Sequence, residues 1–115
     1  ILNVLKDQGV NFKCTCLGAS SEEDDKKARD MILQYGLDSS VEFAGVVSEA
    51  KKLQLLSDSR VLALPSKEEG YGIVVQEALT MGIPVVCYRL PALVELFCQS
   101  RNIYFCDYLD FRSFA

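Results

Sequence analysis

The chain has 115 residues, enough for one domain with a real core but short for a complete enzyme. Half the residues are hydrophobic and 24% are charged, an ordinary globular balance that excludes intrinsic disorder. A net charge of −4 without a basic cluster argues against nucleic acid or an anionic membrane surface as partner, and the apolar runs are too short to span a bilayer.

In chain order, residues 1 to 8 read as the tail of a helix, with Ile1, Val4 and Leu5 on one side and Gly9 as the stop. Phe12 to Leu17 reads as a strand ending at Gly18. Ser20 and Ser21, followed by Glu22, Glu23 and Asp24, open a capped helix whose apolar stripe is Ala28, Met31, Ile32 and Tyr35. Glu22–Lys26 and Glu23–Lys27 are expected helical pairs on a solvated face, and Gly36 ends the helix. Val41 to Gly45 is a second strand, and Ser48 caps a helix carrying Ala50, Leu53 and Leu56. Val61 to Leu64 is a third strand. A helix follows from about Ile73 to Met81, closed by Gly82, and then a strand from Pro84 to Tyr88. Pro91 starts a helix running to about Gln99, and Ile103 to Cys106 is the last strand. Strands alternating with helices at this rhythm predict an α/β fold, a doubly wound parallel sheet covered on both faces, in one domain over residues 1–115.

The five cysteines (14, 16, 87, 98 and 106) are odd in number and contain no CxxC spacing. With no histidine in the chain, they read as buried free thiols rather than metal ligands or disulfides. The missing histidine also removes Ser-His and Cys-His nucleophilic chemistry.

The stretch from Pro65 to Tyr88 carries the functional information. An apolar strand ends at Pro65-Ser66, and Glu69-Gly70-Tyr71-Gly72 forms the turn. A helix then carries Glu77-Ala78, and Gly82-Ile83-Pro84-Val85-Val86 leads into the next strand. A strand feeding a glycine turn feeding a helix presents backbone N–H groups to a phosphate. Glu69 lies in the turn and Glu77 about a turn and a half into the helix, so one ligand across the helix start could touch both.

These elements, together with Glu95 at the next helix, resemble the donor-binding signature of retaining, nucleotide-sugar glycosyltransferases of glycosyltransferase family 4. The resemblance implies the Rossmann-like C-terminal half of a GT-B architecture, binding a UDP- or GDP-sugar and passing the sugar to an acceptor with retention. It implies Glu77 on the ribose hydroxyls, and Glu69 on the donor sugar, stabilising positive charge at the anomeric carbon. Gly70 and Gly72 would adopt positive φ, and the amides of Gly72 and Ile73 would hold the diphosphate. Tyr71 would pack under the loop, while Val46 and Val47 would either flank the nucleobase or belong to the core. No metal cofactor is implied, and the location would be cytoplasmic or the cytosolic face of a membrane.

The resemblance covers residues 11 to 115, about a quarter to a third of a full enzyme. The chain therefore reads as an excised piece, expected not to turn over alone. Missing would be a first strand with its Gly-Arg turn and lysine, a last helix, and an N-terminal domain for a sugar, lipid-linked or protein acceptor. Pro91-Ala92 stands where the family usually has Gly-Gly, removing one backbone donor and adding a Cβ. That departure leaves open a family relative acting as a non-catalytic scaffold. An unrelated Rossmann-like binding module also fits the alternation, though not the ordered punctuation from Pro65 to Glu95.

Overall fold

The computed structural model describes all residues from 1 to 115. The elements are α1 (Leu2–Asp7), β1 (Cys14–Leu17), α2 (Glu22–Gln34), β2 (Val41–Gly45), α3 (Glu49–Ser57), β3 (Leu62–Leu64), α4 (Ile73–Thr80), β4 (Val85–Tyr88), α5 (Pro91–Phe97), β5 (Ile103–Cys106) and α6 (Phe111–Phe114). Every expected strand and helix forms, and all strand pairings are parallel. Alternation fixes strand direction but not which strand supplies the neighbouring hydrogen-bond ladder. Where one sheet was expected, the strands pair as two, β1-β2 and β3-β4-β5. The chain correspondingly divides into two compact units, residues 1–52 and 53–115.

In the first unit, Cys14 pairs with Val41 and Cys16 with Phe43, and the register slips by one between Cys16 and Leu17. Ser21 is the N-cap of α2, its hydroxyl accepting from the Asp24 amide at 3.1 Å. At the other end of α2, the Lys6 ammonium donates to the carbonyls of Tyr35 (2.5 Å) and Gly36 (3.1 Å), meeting the negative end of the helix. Of the two expected charge pairs only Lys27–Glu23 forms, at 2.6 Å. The apolar stripe of α2 is only partly covered: Ala28 and Ile32 are half-buried, but Met31 is 54% exposed and Tyr35 also lies open. Periodicity selected the right face but could not say how completely it is covered. Leu37 is the one fully buried apolar side chain of this unit.

The second unit holds nearly all of the core. Val75 and Ala78 of α4, Val85 and Cys87 of β4, and Leu93 of α5 have no exposure at all. Tyr88, Leu90, Ile83, Ile103, Cys106, Leu56 and Phe114 complete it. The central strand β4 pairs with β3 on one edge and β5 on the other, so its side chains are covered on both faces. Gly82 closes α4 in the left-handed region (φ 77°), with its amide donating to Leu79 O and that of Ile83 to Ala78 O. All five cysteines are free thiols, but only Cys87 and Cys106 are buried: Cys14 and Cys16 are half-buried, and Cys98, just past the end of α5, is exposed.

Candidate functional site

Glu69, Gly70, Tyr71, Gly72, Ile73 and Glu77 all fall within the second unit, on the loop after β3 and the first turns of α4. Their positions follow from local chemistry. Pro65 stops β3, and Gly72 adopts φ 74°, ψ 49°, the left-handed conformation that glycine takes without a Cβ penalty. That turn starts the helix abruptly. The carbonyl of Gly72 accepts from Val75 N (2.9 Å) and Gln76 N (3.1 Å). The amides of Gly72, Ile73 and Val74 donate to no backbone carbonyl, and no side chain caps the helix. Three N–H groups are thus left at the positive end of α4, as a helix start without an internal cap leaves them.

Glu77 follows one turn later. The residue as a whole is half-buried, and its Oε2 atom is shut off from solvent. It stands between Val74, Val75, Ala78 and Leu79 on a helix with little polar surface. Glu69 is half-buried in the loop, whereas Glu68 beside it is exposed.

Two expectations for this loop change. Gly70 does not adopt positive φ; among the loop's glycines only Gly72 does. Tyr71 does not pack under the loop but lies 52% exposed, because the buried space beside the turn is taken by the Gly72 backbone against Leu93 and Phe97. Its ring is therefore available to a ligand rather than committed to packing. Ile73 is likewise exposed.

Val46 and Val47 belong to the first unit. Val46 is 78% exposed, at the rim of a groove of about 570 Å³ at the C-terminal ends of β1 and β2. Cys16, Gly18, Asp24, Arg29 and Phe43 also line it. Val47 is half-buried and outside the groove. Sequence reasoning had not singled out Arg29, whose guanidinium lies 5.1 Å over the Phe43 ring. Only the helical spacing of α2 against β2 could have signalled it. On β1, a hydrogen bond between the Cys14 and Cys16 thiols, aided by burial, holds Cys14 well above its ordinary range. The same bond lowers Cys16 to about 7, against the opposing effect of burial.

A parallel α/β fold with a glycine corner opening onto a helix start has the Rossmann-like form of the GT-B kind. Comparison with known proteins makes this specific. The family described as Glycosyl transferases group 1 matches residues 2–114, and the chain belongs to it. That membership removes the unrelated-module reading. The chain is 36% identical over 100 residues to WcaL of Escherichia coli K12, a glycosyltransferase assigned to colanic acid biosynthesis; the match covers 79% of this chain and 24% of that protein. It is 30% identical over 93 residues to the D-inositol 3-phosphate glycosyltransferase of Arthrobacter sp. strain FB24, covering 81% of this chain and 22% of the other. Among solved structures, Anabaena Alr3699/HepE in complex with UDP and glucose superimposes with a TM-score of 0.79 at 25% identity, over 88% of this chain and 28% of that one. The chain thus spans about a quarter of the length of the relatives it matches.

Proposed function

We propose that this chain is the donor-binding part of a retaining glycosyltransferase of family 4, which moves a sugar from a nucleotide-sugar to an acceptor without a metal cofactor. The observation that carries the reading is the Gly72 corner, with three amides left at the start of α4 and Glu77 one turn along the same helix. The structural neighbour in complex with UDP and glucose supports the ligand class.

The roles follow from the chemistry each group offers. The amides of Gly72, Ile73 and Val74 neutralise the leaving diphosphate, where charge builds up as the glycosidic bond breaks. Glu77, an acceptor-only group, takes the two ribose O–H donors together. Glu69 orients the donor sugar and stabilises positive charge developing at the anomeric carbon. Tyr71 lies open beside the diphosphate, and Gly70 admits close approach to the backbone. In this reading the acceptor, whether sugar, lipid-linked or protein, is bound by an N-terminal domain of the longer protein. A further strand and its basic residues come from the longer protein as well. The edge of β3 away from β4 has no strand partner, which supports that addition. No helix is long and apolar enough to cross a membrane, and we place the enzyme in the cytoplasm or on the cytosolic face of a membrane.

The test is product stereochemistry. The full-length protein is incubated with α-linked UDP- and GDP-sugars in excess chelator, and the new linkage is read by proton NMR. An α-linked product formed in chelator supports the reading; a β-linked product, or transfer only with added divalent metal, overturns it.

A further inference from the structure

The Gly72 corner is buried, and what buries it is not part of the loop. A Cβ placed on Gly72 would lie 2.6 Å from Leu93 Cδ2, 3.4 Å from Val75 Cγ2 and 3.5 Å from Phe97 Cε2. The nearest of these is closer than side-chain atoms pack, and it comes from α5. Leu93 has no exposure, and Phe97 follows it by one helical turn on the same face of that helix. The backbone at Gly72 thus rests directly on the Leu93 side chain.

The position of Leu93 is itself fixed. Leu90 is extended (φ −81°, ψ 140°) and buried, Pro91 occupies the first helical position, and Val94 N donates to Leu90 O at 3.0 Å. Proline pre-sets the φ of the first turn, so the rotation of α5 about its axis is fixed where it begins. Two residues later that rotation delivers Leu93 to Gly72.

From this contact we infer that Leu93 is a positioning residue for phosphate recognition: it sets the direction of the Gly72, Ile73 and Val74 amides without touching the ligand. The inference rests on the donor-site reading given above. It also gives Pro91 a purpose at a place where glycine is usual. The proline fixes the helix that supports the corner, and the departure is compatible with an intact donor pocket. A corner held in the left-handed region and pressed on one side has little freedom. Relaxing the pressing side chain lets the three amides wander from a common target, and convergent amides bind an anion better than divergent ones.

The test separates phosphate recognition from general damage. Affinities of uridine, UDP, guanosine and GDP for the full-length protein are measured by ligand-observed NMR and calorimetry, with Leu93→Ala, Leu93→Met, Gly72→Ala and the Gly72→Ala/Leu93→Ala double variant. For the base that binds, Leu93→Ala should weaken the diphosphate about tenfold while the nucleoside changes less than about twofold, since only the phosphate contacts depend on the corner. Leu93→Met, which keeps the volume but loses the branch carrying Cδ2, should show the same selective loss at about threefold, and serves if the alanine variant does not fold. The double variant should bind the diphosphate about fivefold better than Gly72→Ala alone, because the clash with Leu93 is gone. Equal losses for nucleoside and diphosphate would overturn the inference and leave Leu93 a packing residue, with the donor site standing. Strictly additive single losses would also overturn it. A wild-type protein that binds none of the four ligands would sink the donor-site reading and this inference together.

Discussion

The ring of Tyr88 meets that of Phe114 edge to face, with centroids 5.1 Å apart and planes at 69°. Tyr108 approaches the same ring in the same manner, at 5.7 Å and 71°. The end of β4 is thereby joined to α6 through an aromatic cluster in which Tyr88 is 1% exposed. Its hydroxyl is buried and has no hydrogen-bond partner. A buried donor that leaves water without a replacement partner costs on the order of 1–3 kcal/mol. Tyr88→Phe keeps the ring contacts and removes that cost, so it should be neutral or stabilising by about 1 kcal/mol in urea unfolding. Phe114→Ala, which loses the contacts, should cost about 2–4 kcal/mol. A loss above about 1 kcal/mol for Tyr88→Phe would show that the hydroxyl has a partner in solution.

Leu109 is the only non-glycine residue in the left-handed region, at φ 60°, in the turn where Asp110 N donates to Asp107 O at 3.0 Å. A branched side chain there carries strain of roughly 1 kcal/mol, and Leu109 is too exposed to recover much of it by burial. Leu109→Gly should raise the unfolding midpoint, by about 0.5–1 kcal/mol in free energy. A lower midpoint would mean that the leucine contact outweighs the backbone strain.

The boundary of α2 depends on one of two adjacent serines. Ser21 accepts from Asp24 N, whereas the Ser20 hydroxyl donates to a side chain, the Asp25 carboxylate. Ser21→Ala should therefore cost about 1 kcal/mol and Ser20→Ala less than about 0.5 kcal/mol, read by thermal denaturation. Equal losses would contradict the cap assignment.

Stability should fall on the alkaline side. Burial, with a smaller contribution from Cys106, pushes the Cys87 thiol from 9.0 up to about 11, and burial raises the Tyr88 phenol as well. Below pH 9 both groups are protonated in the folded and the unfolded chain, and their contribution is fully present. As pH rises from 9 towards 11, the unfolded chain releases the Cys87 proton while the folded chain still holds it, so stability is lost, by at most about 1.4 kcal/mol per pH unit per proton. Urea midpoints should be level between about pH 7 and 8.5 and then decline, with a shallower decline in Cys87→Ala. A midpoint that rises from pH 9 to 11 would contradict the assignment.

Much of the fold was legible because its punctuation is sharp. Gly45, Gly82 and Pro91 mark where β2 ends, where α4 closes and where α5 begins, and Val41–Gly45 and Ile103–Cys106 form with the expected bounds. What failed depends on neighbours distant in sequence. Tyr71 reads as an aromatic needing cover, but the space beside the turn belongs to Leu93 and Phe97, twenty and more residues further on. Met31 and Tyr35 share a face with Ile32, yet no periodicity says how far that face is covered. Gly70 and Gly72 look equivalent in a Gly-Tyr-Gly turn, and only the helix start at Ile73 decides which must be left-handed. At the candidate site, the residue types and their order were legible; the support beneath them was not.

The central claim is that Glu77 and the Gly72 corner together hold a nucleoside diphosphate. Its most direct test is calorimetric titration of the full-length protein with UDP and GDP, repeated on Glu77→Ala with folding checked by circular dichroism. The account predicts that one of the two nucleotides binds the wild type, and that Glu77→Ala weakens this binding by about 1.5–3 kcal/mol, the value of hydrogen bonds to a charged acceptor. Binding that is unchanged in the folded Glu77→Ala protein would contradict it.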